Sequence, residues 1–275
     1  VEAVLARALK GGADFAEVYA QRAKKRRMKV RQGALEEALS GLDYGAGVRL
    51  FFGTEVVYAY TNDLPQEGLM EALETLLRAK GALGKVDEGG KGGLDFRKAT
   101  PKGLHAPKVP YGEKDKRYRL ERLLEAEAGA RIAPAIKQVE ASLLEWEEEV
   151  LVANTEGVFA EEKRVRTRLF VLAVAQDGAE VQTGYSAPGK SVGLELFDLY
   201  PPKAVGEKAA RQALTNLKAR PAPAGTFPVV VGPGFGGVLF HEAVGHLLET
   251  TSVARKASVL ADKLGEVVAS PAVTY

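Results

Sequence analysis

The sequence predicts an α+β fold: two helix-plus-antiparallel-sheet units, residues 1–100 and 101–220, then the start of a third, mostly β domain, residues 221–275, carrying a helix with the pattern H-E-x-x-x-H. Three observations predict it. A short helical stretch followed by a strand meander occurs twice. Stretches rich in Gly and Pro, Gly81–Pro110 and Pro221–Gly225, separate the pieces. Two of only three histidines, His241 and His246, follow an apolar run and a glycine-rich turn.

The elements follow in order. The first helix stops at Gly11-Gly12, whose backbone tolerates a left-handed cap. Ala16–Arg31, Leu35–Ser40, Ala46–Phe52 and Glu55–Tyr60 are strands between turns that contain glycine. Pro65 opens a helix to about Lys80. In the second unit Leu120, Leu123, Leu124 and Ala128 recur near helical spacing within Lys114–Arg131. Strands follow at Ile136–Leu144, Glu149–Asn154, Val158–Ala175 and Ala179–Tyr185, with turns at Asn154–Gly157 and Gln176–Gly178. Pro202–Ala219 is amphipathic, Phe227–Val231 is a short buried strand, and Gly234–Leu248 is a helix.

Composition bounds the function. A hydrophobic share of 46% and a charged share of 27% are those of a globular protein. Thirty-eight basic against 36 acidic groups give a net charge of +2, which is no reason to expect a nucleic acid partner. The one strong charge cluster, Lys24–Arg31, is expected as a hairpin edge strand whose cations discourage edge-to-edge pairing. It lacks the interleaved aromatics of a nucleic acid module. No apolar run reaches the roughly 18 residues of a membrane span. The absence of cysteine excludes a disulfide scaffold and fits a reducing, cytoplasmic setting.

His241-Glu242-Ala243-Val244-Gly245-His246 carries the chemistry. Neutral imidazole is the commonest metal ligand, and a carboxylate beside a ligand can take a proton from water activated there. His241 and His246 are therefore the candidate ligands of a Zn2+ ion, and Glu242 the candidate catalytic base. In the familiar H-E-x-x-H pattern the ligands share a helix face. Here the spacing is one residue longer, and at about 100° per residue the rings of a regular helix would stand roughly 140° apart. A π-type bulge around Ala243–His246, absorbed by Gly245, is the expected remedy.

Other constellations are weaker. The turn Gly232–Gly237 lacks the lysine and hydroxyl of a phosphate loop, so close approach of an extended substrate backbone is its more economical role. No G-x-S-x-G elbow marks Ser186, Ser191, Ser252 or Ser258 as a nucleophile. Glu147, Glu148 and Glu149 are expected in a solvated turn, Trp146 as a packed sheet residue, and His105 as a solvated loop histidine.

The motif, with the strand and glycine-rich turn before it at Phe227–Gly237, resembles the TldD proteins of the TldD/PmbA (TldE) family of metalloproteases. Gly45-Ala46-Gly47-Val48-Arg49 is similar to that family's G-x-G-x-R element, Asn154-Thr155-Glu156-Gly157 to its central N-[ST]-E-G turn, and Gly265–Ser270 continues the likeness. The PmbA (TldE) branch lacks the two histidines and the glutamate, which puts this chain on the TldD side. The resemblance implies hydrolysis of short or unfolded peptides, including leader regions of modified peptides, and a PmbA/TldE-like subunit or a second copy as partner. It also implies a third zinc ligand, a cysteine far downstream. With no cysteine and no initial Met here, the polypeptide is expected to be a piece of a longer one. A non-catalytic, peptide-binding or structural subunit of such an assembly is the alternative reading.

Overall fold

A computed structural model describes residues 1–64, 66–81, 94–99 and 106–273. Pro65, His105 and most of the stretch Gly81–Pro110 lie outside them. The chain divides into two compact units, one of residues 1–52 and 56–220, the other of 53–55 and 221–275.

The first unit is built on one sheet. After helix α1 (Glu2–Lys10) come strands β1 (Phe15–Arg31), β2 (Ala34–Phe52) and β3 (Glu55–Thr61), helix α2 (Gln66–Ala79) and the short strand β4 (Arg97–Ala99). Helix α3 (Lys116–Gly129) precedes β5 (Ile136–Asn154), β6 (Val158–Asp177), β7 (Glu180–Ser186) and β8 (Gly189–Lys190), and α4 (Leu196–Leu199) and α5 (Pro202–Asn216) close the unit. The order is β3-β2-β1-β5-β6-β4, with β7 and β8 also on β6. β1 pairs antiparallel with β2 and β5, and β6 pairs antiparallel with β5, β7 and β8, while β4 runs parallel to β6. The two expected meanders thus share a continuous ladder, because β1 pairs with β5 from Glu17↔Asn154 to Arg31↔Glu140.

Local chemistry explains the turns. Gln32 and Gly33 both have positive φ, 50° and 75°, as a type I′ hairpin requires. A non-glycine residue holds that conformation because its amide is pinned: Gln32 donates to the carbonyl of Lys137 at 2.9 Å and accepts from the amide of Val139 at 3.1 Å. In the β5–β6 turn, Asn154 Oδ1 accepts from the amides of Glu156 and Val158, and Gly157 takes φ 90°. Thr155 Oγ1 accepts from the amide of Ala16, tying this turn to the start of β1. The N-T-E-G element is therefore a clamp in the sheet.

Several expectations are corrected. Leu35–Ser40 and Ala46–Phe52 belong to one strand, and so do Ile136–Leu144 and Glu149–Asn154, because β1 keeps the ladder intact through residues 41–45, and β1 and β6 do so through 145–148. Glu147–Glu149 therefore lie in β5, not in a solvated turn. Glu147 faces Arg26 at 3.6 Å, Glu148 is buried, and Glu149 meets Lys163 at 2.8 Å, whose ammonium holds its carboxyl below the ordinary range. The basic strand β1 is interior rather than an edge. Its cations are matched by acids on β2 and β5: Lys25 with Asp43, Arg27 and Lys29 with Glu37, Arg31 with Glu36 and Glu140.

Both hydrophobic clusters draw on the same alternate residues of the sheet. One takes Ala16 and Val18 of β1 with Ala153 of β5, the other Met28 and Val30 with Ala141 and Leu143. Side chains two apart share a face, and the β1–β5 register runs unbroken between the two sets, so the helices of this unit pack on one face of the sheet. Burying a Leu or Val there stabilises by roughly 1.5–3 kcal/mol. Asp115 caps α3 by accepting from the amide of Tyr118 at 2.8 Å.

The second unit contains helix α6 (Gly237–Ala243), a 3₁₀ turn (Gly245–Leu248) and helix α7 (Thr250–Ala254). Phe227–Val231 forms no ladder, contrary to the expected buried strand. Without a partner strand among the described residues its side chains stay exposed, Val230 at 96%.

Candidate metal centre

The glycine-rich turn delivers the chain into α6. Gly234 takes φ 98°, and a Cβ on Gly236 would stand 2.5 Å from the Val231 side chain and 2.6 Å from the Gly232 carbonyl oxygen. Only glycine fits both places. The helix begins at Gly237, so His241 and Glu242 fall in its last turn.

The helix does not run through His246, and no π bulge forms. It stops at Val244, with φ −129° and ψ −41°, and His246 rides the 3₁₀ turn that starts at Gly245. The distortion expected at Gly245 therefore falls one residue earlier and takes the form of a break. Its effect on the imidazoles is the expected one: the rings of His241 and His246 stand 4.6 Å apart between centroids, at 68°. Ser258 secures the arrangement by donating to the carbonyl of Leu247 at 2.6 Å, and that is a structural role.

One donor atom each from His241, Glu242 and His246 lies within 4.8 Å of the others. Glu242 Oε2 is 3.4 Å from Nε2 of His246. On its other side, Nδ1 of His246 is 2.7 Å from Oε1 of Glu249. That hydrogen bond and the charge of Glu249, with a lesser part from Glu242, raise the pKa of His246 against the opposing desolvation. All three motif residues are exposed.

The donor set fits a zinc ion. Tetrahedral ligands about 2.0–2.1 Å from zinc stand about 3.3–3.4 Å from one another, and a ring nitrogen of His241 lies within 4.8 Å of one of His246. With Nδ1 engaged by Glu249, the Nε2 of His246 is the nitrogen left to ligate, which is how ligand histidines are commonly oriented. Glu249 was not foreseen in the sequence. Its only signal was a carboxylate three residues beyond His246, a spacing too common to single it out.

The elements that seemed to extend the motif are structural. A Cβ on Gly47 would collide with the Tyr58 ring, one on Gly45 would press on the Thr61 carbonyl at 3.0 Å, and Arg49 pairs with Glu17. The two glycines let β3 come close to β2, and Arg49 ties β2 to β1.

Three family models match the chain: PmbA/TldA metallopeptidase domain 1 over residues 16–80, the central domain over 107–217 and the C-terminal domain over 224–275. The metalloprotease TldD homologue of Haemophilus influenzae is 32% identical over 95% of this chain and 55% of its own length. A metalloprotease of Methanothermobacter thermautotrophicus is 29% identical, over 95% of this chain and 56% of its own. This chain thus spans little more than half the length of these relatives. Among solved structures, TldE from Thermococcus kodakarensis superposes with a TM-score of 0.69 at 17% identity, covering 98% of this chain and 59% of that one, a likeness of fold. Matched along nearly its whole length by all three domain models, the chain belongs to the PmbA/TldD metallopeptidase family.

Proposed function

We propose that the chain carries the metal-binding core of a zinc-dependent peptidase that acts on short or unfolded peptides. The observation that supports this most is the convergence of His241, Glu242 and His246 across the helix break. His241 and His246 would hold the ion through ring nitrogens. When bound, zinc supplies Lewis acidity toward a peptide carbonyl and toward water.

The chain's own residues do the rest. Glu249 accepts the Nδ1 proton of His246, which fixes the tautomer and leaves Nε2 as the ligand. Glu242, placed beside that nitrogen and not assigned as a ligand, takes a proton at Oε2 and returns it to the departing amine. The turn Gly232–Gly237 lets an extended peptide backbone approach without side-chain hindrance. Catalytic zinc takes three protein ligands, and the family resemblance implies a cysteine as the third. A PmbA/TldE-like subunit or a second copy is the proposed partner, supported by the likeness of fold to TldE. A cytoplasmic setting is proposed from the lack of cysteine. Among the described residues no helix is long and apolar enough to cross a membrane.

The test separates binding from chemistry. Glu242→Gln is expected to keep the zinc content, read by elemental analysis, and to lose about 10²–10⁴-fold in hydrolysis of unfolded peptides. His241→Ala/His246→Ala is expected to lose the zinc itself. Equal zinc in that double variant, or wild-type cleavage by Glu242→Gln, would refute the assignment.

A further inference from the structure

On the sheet face opposite the helices, the register sets two rows of side chains across four strands. Leu39, Arg27, Leu144 and Arg168 form one, and Gly41, Lys25, Trp146 and Arg166 the next. They line a depression of about 670 Å³, together with Lys190 and Ser191. Its apolar contribution is open to solvent, Leu39 at 62% and Leu144 at 41%.

The charges here are of two kinds. Lys25 and Arg27 are matched by Asp43 at 3.0 Å and Glu37 at 3.4 Å. Arg166, Arg168 and Lys190 have no carboxylate partner among the described residues. Lys25 and Arg166 reach over Trp146 from the flanking strands, 4.5 and 5.9 Å from its ring centre, and the indole N–H beneath them is buried without a hydrogen-bond partner. Lys25 and Arg27, which stood out in the sequence, are thus neutralised, while the less conspicuous Arg166 and Arg168 on β6 are not.

We propose that this depression docks an acidic peptide segment in which carboxylates alternate with aliphatic side chains. In an extended peptide, side chains on one side repeat every roughly 6.6–6.8 Å, the same interval that separates Arg166 from Arg168 along β6. Guanidinium groups bind carboxylates through paired N–H donors, and Leu39 and Leu144 offer the aliphatic contact between the charges. A nucleic acid fits less well. The Trp146 ring is covered by cations and gives no stacking platform, and acids bound the patch, Asp43 and Glu148 on one side and Glu37 on the other. The proposal does not rest on the metal centre.

Trp146 is the only tryptophan of the chain, so its emission reports on this site alone. The 275-residue chain would be titrated with a fluorescein-labelled peptide of alternating Glu and Leu, with Gln–Leu and Lys–Leu counterparts, and with oligo(dT), following tryptophan emission and label anisotropy. The Glu–Leu peptide is expected to shift the emission and to bind about tenfold or more tighter than the Gln–Leu peptide, with the advantage shrinking as salt rises. Arg166→Gln/Arg168→Gln, checked for folding by circular dichroism, should remove that advantage. Arg166→Glu/Arg168→Glu should transfer it to the Lys–Leu peptide, and Arg117→Gln, an exposed cation on α3, should change nothing. Equal binding of the Glu–Leu and Gln–Leu peptides, no binding of either, or tighter binding of oligo(dT) would overturn the proposal.

Discussion

Nδ1 of His246 and Oε1 of Glu249 lie 2.7 Å apart, where the 3₁₀ turn gives way to α7. The pair spans three residues and needs no other element to hold it. It fixes the ring orientation and raises the basicity of Nε2, as outer partners of ligand histidines do.

Removing that carboxylate should therefore act on the metal and not on the fold. Glu249→Ala is expected to weaken zinc binding about 10–100-fold, measured by competition with a chelator, while the thermal transition stays in place. Unchanged affinity would mean that His246 is not oriented by Glu249, or is not a ligand.

What was legible in the sequence was local. The β1–β2 and β5–β6 turns are written in Gly33 and Gly157, which take positive φ, and in Asn154, which bonds within its own turn. The bonds that hold Gln32 to Lys137 and Val139, and Thr155 to Ala16, come from distant residues and were not legible. The union of both meanders into one sheet was not legible, because β1 meets β5 across more than a hundred residues, and no local pattern encodes that pairing. The charge run on β1 misled for the same reason: an interior strand can carry cations when acids of other strands stand opposite. At the site, the residue types marked His241, Glu242 and His246. The device that unites them, a break at Val244, depends on backbone torsions that a regular-helix projection does not contain.

The crossing of α3 and α5 tests how far local preference is overruled by packing. Alanine is better than glycine inside a helix by about 0.8–1.0 kcal/mol. At Gly206, however, an added Cβ would lie 2.0 Å from the Ala126 carbonyl oxygen and 2.9 Å from the Ala130 amide, both backbone atoms that cannot swing aside. Overpacking of this kind costs about 1–3 kcal/mol or more. Gly206→Ala should therefore lower Tm, by roughly 2–4 °C for each net kcal/mol, whereas Gly112→Ala, in open space, should not. A higher Tm for Gly206→Ala would show that the helices separate at little cost.

Acid sensitivity should trace in part to Glu195. Burial pushes its carboxyl up, but hydrogen bonds from backbone amides, those of Lys108 and Val109 at 2.9 and 3.0 Å first among them with those of Glu195 and Gly193, together outweigh that and hold it below the ordinary value of 4.5. A group depressed in the folded state contributes stability in full above its unfolded pKa and loses it as pH falls through the folded one. Glu195→Gln has one acceptor oxygen for two amides, so it should be less stable at neutral pH by about 1–3 kcal/mol. Its stability should also change less between neutral pH and pH below 4.5, as followed by chemical denaturation across that range. A variant whose acid limb parallels the wild type would exclude Glu195 as a contributor.

The break at Val244 is what separates α6 from the 3₁₀ turn that carries His246. Beta-branched residues favour extended φ and alanine favours the helix, so Val244→Ala should tilt the segment toward a continuous helix, in which the two rings part by roughly 140°. The propensity difference is at most about 0.7 kcal/mol, so zinc affinity should fall no more than about threefold. The turn is also held from outside by the bond from Ser258 to the Leu247 carbonyl, worth about 1 kcal/mol. Val244→Ala/Ser258→Ala should then weaken zinc binding by about tenfold or more and raise helicity in circular dichroism. If the double variant bound zinc like the wild type, neither the branched side chain nor the serine would be what keeps His241 and His246 together.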